Sequence, residues 1–272
     1  MISNTVEWNA RVYHSASSPH VTWGAGVVAA AQLKGNERVA DVGCGTGNVT
    51  EQLLELLPDG NVIAIDRSAN MIEEARKHLE SRYSGQVSFL QRDLLDLVPD
   101  DVGEKVDVVF STATFHWIRD HDTLFRNLFA ILRPGGRLVA QCGGGPNLKR
   151  HVQRAEELMA GERFQQWFAG WDVPKFSADT EGTAERMQNA GFIEVETTLV
   201  EAPVVLGDAG EFRTFMETIV FREHIEQIPT ESGRGEFLDE LTRLAAGDDP
   251  PFQLDYWRLN MFGSAPAEMA RA

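Results

Sequence analysis

Short apolar runs alternate with longer segments of helical periodicity between Glu37 and Cys142. The pattern predicts strands over 38–42, 61–66, 86–91, 106–112 and 137–142, each largely apolar, as strands covered on both faces are. It predicts helices over 48–57, 68–81 and 122–132, the last ended by Pro134-Gly135-Gly136. This alternation is typical of βαβ units around a parallel sheet, so we expect a doubly wound α/β fold.

The pattern changes after residue 145. Aromatic and charged residues dominate 146–178, the α/β alternation resumes over 179–204, and 205–250 holds a helical block with helices expected over 211–228 and 235–246. We interpret 36–145 and 179–204 as one ligand-binding core, and 146–178 and 205–250 as insertions that form a helical lid. Residues 1–35 are then N-terminal cap helices, and 251–272 are the last strand, expected over 252–262, and a tail.

Composition limits the partners of the chain. Its 272 residues include 25 Lys and Arg against 41 Asp and Glu, a net charge of −16, which argues against binding to nucleic acid or to anionic membranes. No apolar run is long enough to span a bilayer. Two cysteines cannot form a disulfide framework, and the start lacks a signal-peptide pattern, so we expect a cytoplasmic protein. The histidines lack metal-ligand spacing, and we predict no metal site.

The candidate chemistry begins in the segment Asp41-Val-Gly43-Cys-Gly45-Thr-Gly47, between the first strand and the first helix of the core. Glycines at such a turn let the backbone approach a ligand closely, although a plain tight turn is an alternative. A dinucleotide fingerprint needs its third glycine where this chain has Asn48. The spacing therefore argues against a nicotinamide-dependent dehydrogenase.

Two carboxylates follow at the ends of the next strands. Asp66 ends the second predicted strand, where open α/β sheets place an acid that accepts the hydroxyls of a ribose. It could instead cap the helix that begins near Ser68. Asp93 follows the third strand and could accept the amine of an adenine.

Together these motifs resemble the class I S-adenosylmethionine-dependent methyltransferases over residues 36–143. The resemblance implies S-adenosyl-L-methionine as the cofactor and a mostly parallel, Rossmann-like seven-stranded sheet whose last strand is antiparallel. It places Gly43 and Gly45 against the amino acid and ribose, Asp66 on the ribose, Asp93 on adenine, and Arg67 and Met71 beside the adenine ring. The full predicted set of cofactor-binding residues is Tyr13, Asp41, Gly43, Gly45, Asp66, Arg67, Met71, Asp93, Leu94 and Ser111.

Three further segments are similar to the trans-aconitate and juvenile hormone acid methyltransferases: Trp8-Asn9-Ala10, Phe115-His116-Trp117 and Tyr256-Trp257-Arg258. The resemblance implies a small-molecule carboxylate as the methyl acceptor. A carboxylate is already ionised and needs no base, whereas a phenol, an amine or a carbon acid does. His116 is the candidate catalytic residue, either as that base or as a group that orients the acceptor.

The acceptor site is expected to include Trp117 as a wall, with Arg222 and Arg258 as candidate anchors for an acceptor carboxylate, since a buried anion needs a partner. Arg222 could equally extend to solvent. A non-catalytic cofactor-binding protein stays open as an alternative. The oligomeric state is open between monomer and homodimer.

Overall fold

A computed structural model describes residues 18–171 and 176–268 of the chain. Its helices are α1 (Ser18–Ala30), α2 (Asn48–Glu55), α3 (Ala69–Leu79), α4 (Pro99–Val102), α5 (His121–Ala130), α6 (Lys149–Ala160), α7 (Gln165–Phe168), α8 (Thr180–Asn189), α9 (Ala209–Phe215), α10 (Arg222–Gln227) and α11 (Glu231–Ala246). Its strands are β1 (Arg38–Val42), β2 (Asn61–Asp66), β3 (Val87–Gln91), β4 (Val106–Thr112), β5 (Leu132–Gly143), β6 (Ile193–Glu201), β7 (Val204–Val205), β8 (Gln253–Leu254) and β9 (Trp257–Ser264).

Seven strands form one sheet in the order β3-β2-β1-β4-β5-β9-β6, and β1 to β5 pair in parallel. The chain winds outward from β1 to β3 and then returns to place β4 on the other side of β1. Parallel strands end at the same edge of a sheet, and ligands of such folds bind where the winding reverses. The predicted doubly wound α/β fold is confirmed, with β1, β2 and β4 at their predicted bounds.

The central strands are apolar at successive positions because both faces of the sheet are covered. In β1, Val39 belongs to a buried cluster on one face and Ala40 to the cluster on the other. Val108 and Val109 of β4 divide in the same way. Side chains alternate between the faces of a strand, so a strand covered on both sides reads as a continuous apolar run.

The predicted strand at 137–142 is longer than expected. β5 begins at Leu132, and its pairing with β4 jumps from Val106–Leu132 to Val108–Arg137. The Pro134-Gly135-Gly136 segment lies inside this irregularity, and the Gly135 N–H lies within hydrogen-bonding distance of the carbonyls of Ala265 and Pro266. The preceding helix ends at Ala130 and the strand begins at Leu132, so the segment lies within the strand and is not the helix stop that the sequence predicted.

The predicted helix over 211–228 is not continuous. α9 ends at Phe215, a π-helical turn covers Met216–Val220, and α10 begins at Arg222. The Phe221 N–H donates to the Met216 carbonyl at 2.7 Å, five residues back, which is the spacing of a π-helix. The expected strand over 252–262 is likewise divided, because β8 pairs with β7 and β9 joins the main sheet.

The chain divides into two compact units. Among the described residues, the first comprises 18–145, 176–200 and 259–268, and the second comprises 146–171 and 201–258. The first unit contains the sheet edge on which the predicted cofactor residues lie. The second unit contains residues 251–258, which were predicted to belong with the last strand of the core. None of the described helices has the length and apolar character needed to cross a membrane.

Candidate functional site

The loop after β1 is bound to the end of β2. The N–H groups of Gly43 and Cys44 both donate to the carbonyl of Ile65, at 2.7 and 3.0 Å. Gly43, Gly45 and Gly47 all have positive φ, at 80, 54 and 86°, a conformation that other residues adopt only with strain. A Cβ added at Gly45 would lie within 4 Å of no described atom. The loop therefore leaves open space beside the Gly45 backbone.

Gly43 lies against the loop that follows β4. A Cβ at Gly43 would lie 2.1 Å from the Thr114 hydroxyl oxygen, which is 3.3 Å from the Gly43 carbonyl and 3.0 Å from the Thr112 carbonyl. Thr114 was not among the site residues predicted from the sequence. The polar Ser-Thr-Ala-Thr run at the end of β4 could have indicated that it lies at the sheet edge. Because Gly43 has no side chain, the loops after β1 and β4 can lie in contact.

Asp41 lies inside the fold below the glycine loop. Its carboxylate accepts a 2.6 Å hydrogen bond from the Thr50 hydroxyl of α2. Burial and the charge of Asp66 together raise the pKa of Asp41 to about 7, against the lowering effect of the Thr50 hydrogen bond. The visible contacts of Asp41 join β1 to α2, and its predicted cofactor contact stays a prediction.

Asp66, half-buried at the end of β2, holds the glycine loop. Its carboxylate accepts the Gly45 N–H at 3.0 Å on one oxygen and the Ser68 N–H at 2.9 Å on the other. Burial raises the pKa of Asp66, against the smaller lowering effect of these N–H groups. The Ser68 hydroxyl, which accepts the Met71 N–H at 3.3 Å, caps α3. Each Asp66 oxygen keeps a lone pair for a further donor.

The other predicted cofactor residues of the first unit lie at the same ends of β2 to β4. Met71 and Leu94 are buried, whereas Arg67 and Asp93 are partly exposed. The Asp93 carboxylate accepts the Leu95 N–H at 3.0 Å. The Ser111 hydroxyl is buried and donates to the Val42 carbonyl at 2.7 Å, so it joins β4 to β1. Tyr13 lies outside the described residues.

His116 lies in a 3₁₀ turn, Phe115–Trp117, that follows β4. The Gly143 N–H at the end of β5 donates to His116 Nδ1 over a long 3.4 Å, and the His116 carbonyl accepts the Phe176 N–H at 2.9 Å. The ring of Trp117 is adjacent, with centroids 5.2 Å apart. The structure therefore brings His116 and Trp117 to the edge of the sheet that carries the glycine loop.

The two candidate anchors lie in the second unit. Arg222 begins α10 and donates from Nε to the Glu226 carboxylate at 2.9 Å. Arg258 is buried, with 3% of its surface exposed. Their role toward an acceptor stays a prediction. Among residues 18–171 and 176–268, no group of His, Cys, Asp and Glu has an arrangement suited to a metal ion.

A family model for the methyltransferase domain matches residues 33–191 of the chain. This chain belongs to the methyltransferase domain family. The match covers the sheet edge, the glycine loop and the turn that carries His116. The resemblance to the class I S-adenosylmethionine-dependent methyltransferases, predicted from the sequence, is confirmed.

Two curated relatives of this methyltransferase domain protein share part of its sequence. Trans-aconitate 2-methyltransferase of Acidovorax sp. (strain JS42) is 33% identical over 135 residues, 50% of this chain and 49% of that protein. The protein of the same name from Methylobacterium nodulans is 30% identical over 197 residues, 72% of this chain and 68% of that protein. The chain thus spans about half the length of the first relative and about two thirds of the second.

A solved structure extends the likeness across nearly the whole chain. Haemonchus contortus phosphoethanolamine N-methyltransferase 2, in complex with S-adenosyl-L-methionine, superposes with a TM-score of 0.60 at 18% identity. The similarity covers 94% of this chain and 56% of that one. At this identity the likeness establishes the fold alone.

The geometry of the loop fits the cofactor that the family identifies, S-adenosyl-L-methionine. The open space beside Gly45 admits a ligand against the backbone. The lone pairs that Asp66 retains suit the hydroxyls of a ribose, which are neutral donors. Gly43, Gly45 and Asp66 would hold the cofactor, with Asp93, Arg67 and Met71 next to them along the sheet edge.

Proposed function

We propose that this methyltransferase domain protein transfers a methyl group from S-adenosyl-L-methionine to a carboxylate oxygen of a small molecule. The family match supports the reaction class, and two relatives named trans-aconitate 2-methyltransferase support an acidic acceptor. When bound, the cofactor supplies an electrophilic methyl group on a sulfonium. The chain's own contribution is to align the reactants and to exclude water.

The observation that carries the choice of acceptor is the hydrogen bond from the Gly143 N–H to His116 Nδ1, at 3.4 Å. A backbone N–H only donates, so Nδ1 must supply a lone pair, and the proton of the neutral ring is then on Nε2. An imidazole in this tautomer presents a donor at Nε2 and has no lone pair there with which to remove a proton. His116 is thus arranged to donate a hydrogen bond to an acceptor oxygen.

This arrangement suits a carboxylate acceptor. A carboxylate is ionised near neutral pH and needs no base, but it must be oriented so that one oxygen faces the methyl group. A donor at His116 Nε2 would bind an oxygen of the acceptor without competing for a proton. A phenol, an amine or a carbon acid would instead need a base at Nε2. The His116 ring would then carry its proton on Nδ1 and could not accept the Gly143 N–H.

The test is transfer of labelled methyl to a panel of small acids that includes trans-aconitate, together with phenols, amines and carbon acids. Mild base releases methanol from a methyl ester and from none of the other products. We expect base-labile label with an acid of the panel. Base-stable label on another acceptor class would contradict the proposal.

Two variants of His116 separate the donor from the base. His116→Gln can present an amide N–H in place of Nε2–H, whereas His116→Asn offers an acceptor in place of Nδ1 and no donor at Nε2. We expect His116→Gln to keep kcat/KM within about tenfold and His116→Asn to lose more, since one well-placed hydrogen bond to a charged oxygen contributes about 1.5–3 kcal/mol. A loss above about a hundredfold in both variants indicates general base catalysis instead.

A further inference from the structure

His121 is the first residue of α5, and only 1% of it is exposed. Its ring lies edge-on to three phenylalanine rings, with centroid distances of 6.5 Å to Phe115, 5.5 Å to Phe125 and 4.8 Å to Phe176. Apolar surroundings solvate an imidazolium poorly, so a histidine in this position is favoured in its neutral form. The function described above makes no use of this ring.

The hydrogen bonding of His121 selects one tautomer. Nε2 lies 3.0 Å from the carbonyl oxygen of Phe115. A carbonyl only accepts, so the ring proton is on Nε2. Nδ1 is buried and has no hydrogen-bond partner within residues 18–171 and 176–268, which is the environment of an unprotonated ring nitrogen.

The carbonyl that His121 binds closes the turn carrying His116. The Phe115 oxygen also accepts the Ile118 N–H at 3.0 Å, the hydrogen bond that closes the 3₁₀ turn. The backbone N–H and the ring N–H together use both lone pairs of this oxygen. His116 follows directly, so the imidazole of His121 fixes the peptide group on which the orientation of His116 depends.

Groups near His121 both raise and lower the pKa of its ring. Burial lowers the pKa of His121, and the charge of Arg186 on α8 lowers it further, whereas hydrogen bonds to the backbone of Phe115 and Ile118 and the charge of Asp122 on its own helix raise it. The positive end of the α5 dipole also opposes a proton on the ring. The rings of Phe115, Phe125 and Phe176 that contact His121 do not titrate. Protonation of His121 would put a second N–H on Nδ1, which is buried and has no hydrogen bond within residues 18–171 and 176–268.

We propose that His121 is a positioning residue for methyl transfer: its neutral ring holds the Phe115–Trp117 turn, and with it His116, in the active arrangement. The inference rests on the proposed function. The sign of the pH dependence follows from the neutral form being the one that the fold favours. The contribution of His121 to holding the turn is complete at pH values above the ordinary histidine pKa of 6.5. It is lost as the pH falls below 6.5 and through the lower pKa that His121 has in the folded state.

The test compares His121→Gln, which keeps an N–H donor, with His121→Phe, which keeps an aromatic ring and removes the donor. We expect His121→Phe to lower kcat by about 30-fold with KM and the Kd of S-adenosylhomocysteine changed less than about threefold, since a misplaced group affects the chemical step more than binding. His121→Gln should restore kcat to within about threefold and keep that activity at pH values where the wild type declines. His78→Gln is the matched control, because His78 is a half-buried histidine of α3 that contacts the Glu51 carboxylate at 2.9 Å and lies outside the turn.

A second readout needs no acceptor. In protein with ¹⁵N-labelled histidine rings, NMR should show His121 as the Nε2–H tautomer at pH 7, and His116 Nδ1 as a hydrogen-bond acceptor. We expect His121→Phe to change the His116 ring signals and His121→Gln and His78→Gln to preserve them. Should His121→Phe fail to fold, the His121→Gln pH profile carries the test.

Three results would overturn the inference: unchanged kcat in His121→Phe, an unchanged acid limb in His121→Gln, or unchanged His116 ring signals in His121→Phe. Failure of the proposed function looks different. In that case the wild type methylates no carboxylate, while the His116 ring signals still report whether His121 holds the turn.

Discussion

The two units of the chain each contain a half-buried carboxylate, and the partners of these carboxylates differ. Asp66 in the first unit is held by the backbone N–H groups of Gly45 and Ser68. Asp248 in the second unit accepts two hydrogen bonds from the guanidinium of Arg154, at 2.9 and 2.6 Å. Burial raises the pKa of Asp66. Burial also tends to raise the pKa of Asp248, but the hydrogen bonds and charge of Arg154 outweigh burial, so the pKa of Asp248 is lowered.

The difference indicates two uses of the same functional group. Each oxygen of both carboxylates accepts one N–H, so the difference lies in the charge of the partner. A carboxylate in a two-point pair with arginine has its charge balanced by the protein, so it stabilises the fold. A carboxylate oriented by neutral backbone N–H groups keeps its charge and lone pairs for further donors. The Asp66 arrangement is compatible with the ribose contact predicted for it, and the Asp248 arrangement is that of a structural link between α6 and the end of α11.

The largest expected effect concerns the open space beside Gly45. Gly45→Ala adds a methyl group where a ligand would contact the backbone, and we expect the Kd for S-adenosyl-L-methionine to rise about a hundredfold, measured by calorimetry. Gly85→Ala is the matched control, because Gly85 also has positive φ and an added Cβ there also meets no described atom within 4 Å. Both variants should lose roughly 1–2 kcal/mol of stability from backbone strain. Equal cofactor binding in both would remove Gly45 from the site.

The second effect is on stability alone. Asp248→Asn leaves the Arg154 guanidinium without its anionic partner, and we expect the free energy of unfolding to fall by about 2 kcal/mol, less than for a fully buried pair because Arg154 is partly exposed. The loss should shrink below pH 4, where the unfolded carboxylate is also protonated. Asp239→Asn removes a partner of Arg213 at the surface and should lower the free energy of unfolding by less than about 0.5 kcal/mol. A weakened cofactor Kd in Asp248→Asn would contradict the comparison.

The third effect tests the ribose assignment. Asp66→Ala removes the acceptor for ribose hydroxyls, and we expect the Kd for S-adenosyl-L-methionine to rise more than about tenfold. Asp59→Ala, on the exposed turn before β2, should leave the Kd unchanged. Unfolding in urea is measured alongside, because the Gly45 and Ser68 N–H groups lose their acceptor. Unchanged affinity in a folded Asp66→Ala protein would refute the assignment.

Much of the first unit was predictable because its signals are local. A strand covered on both faces is a continuous apolar run, so β1, β2 and β4 were placed at their observed bounds. Residues that follow such strands reach one sheet edge, which is why Gly45, Asp66 and Asp93 could be grouped in advance. The second unit offered fewer signals of this kind, and the predicted helix over 211–228 is divided by a π-helical turn.

By itself the sequence determined the fold class, the family and the edge of the sheet on which the candidate site lies, since apolar periodicity and the spacing of glycines and acids act over a few residues. Only the tertiary structure supplied the contacts from which we infer which nitrogen of His116 and of His121 carries the ring proton. Those protons depend on hydrogen bonds from Gly143, 27 residues away from His116, and to Phe115 inside a buried aromatic cluster. Such contacts form when distant strands and helices pack, and local sequence patterns do not encode them.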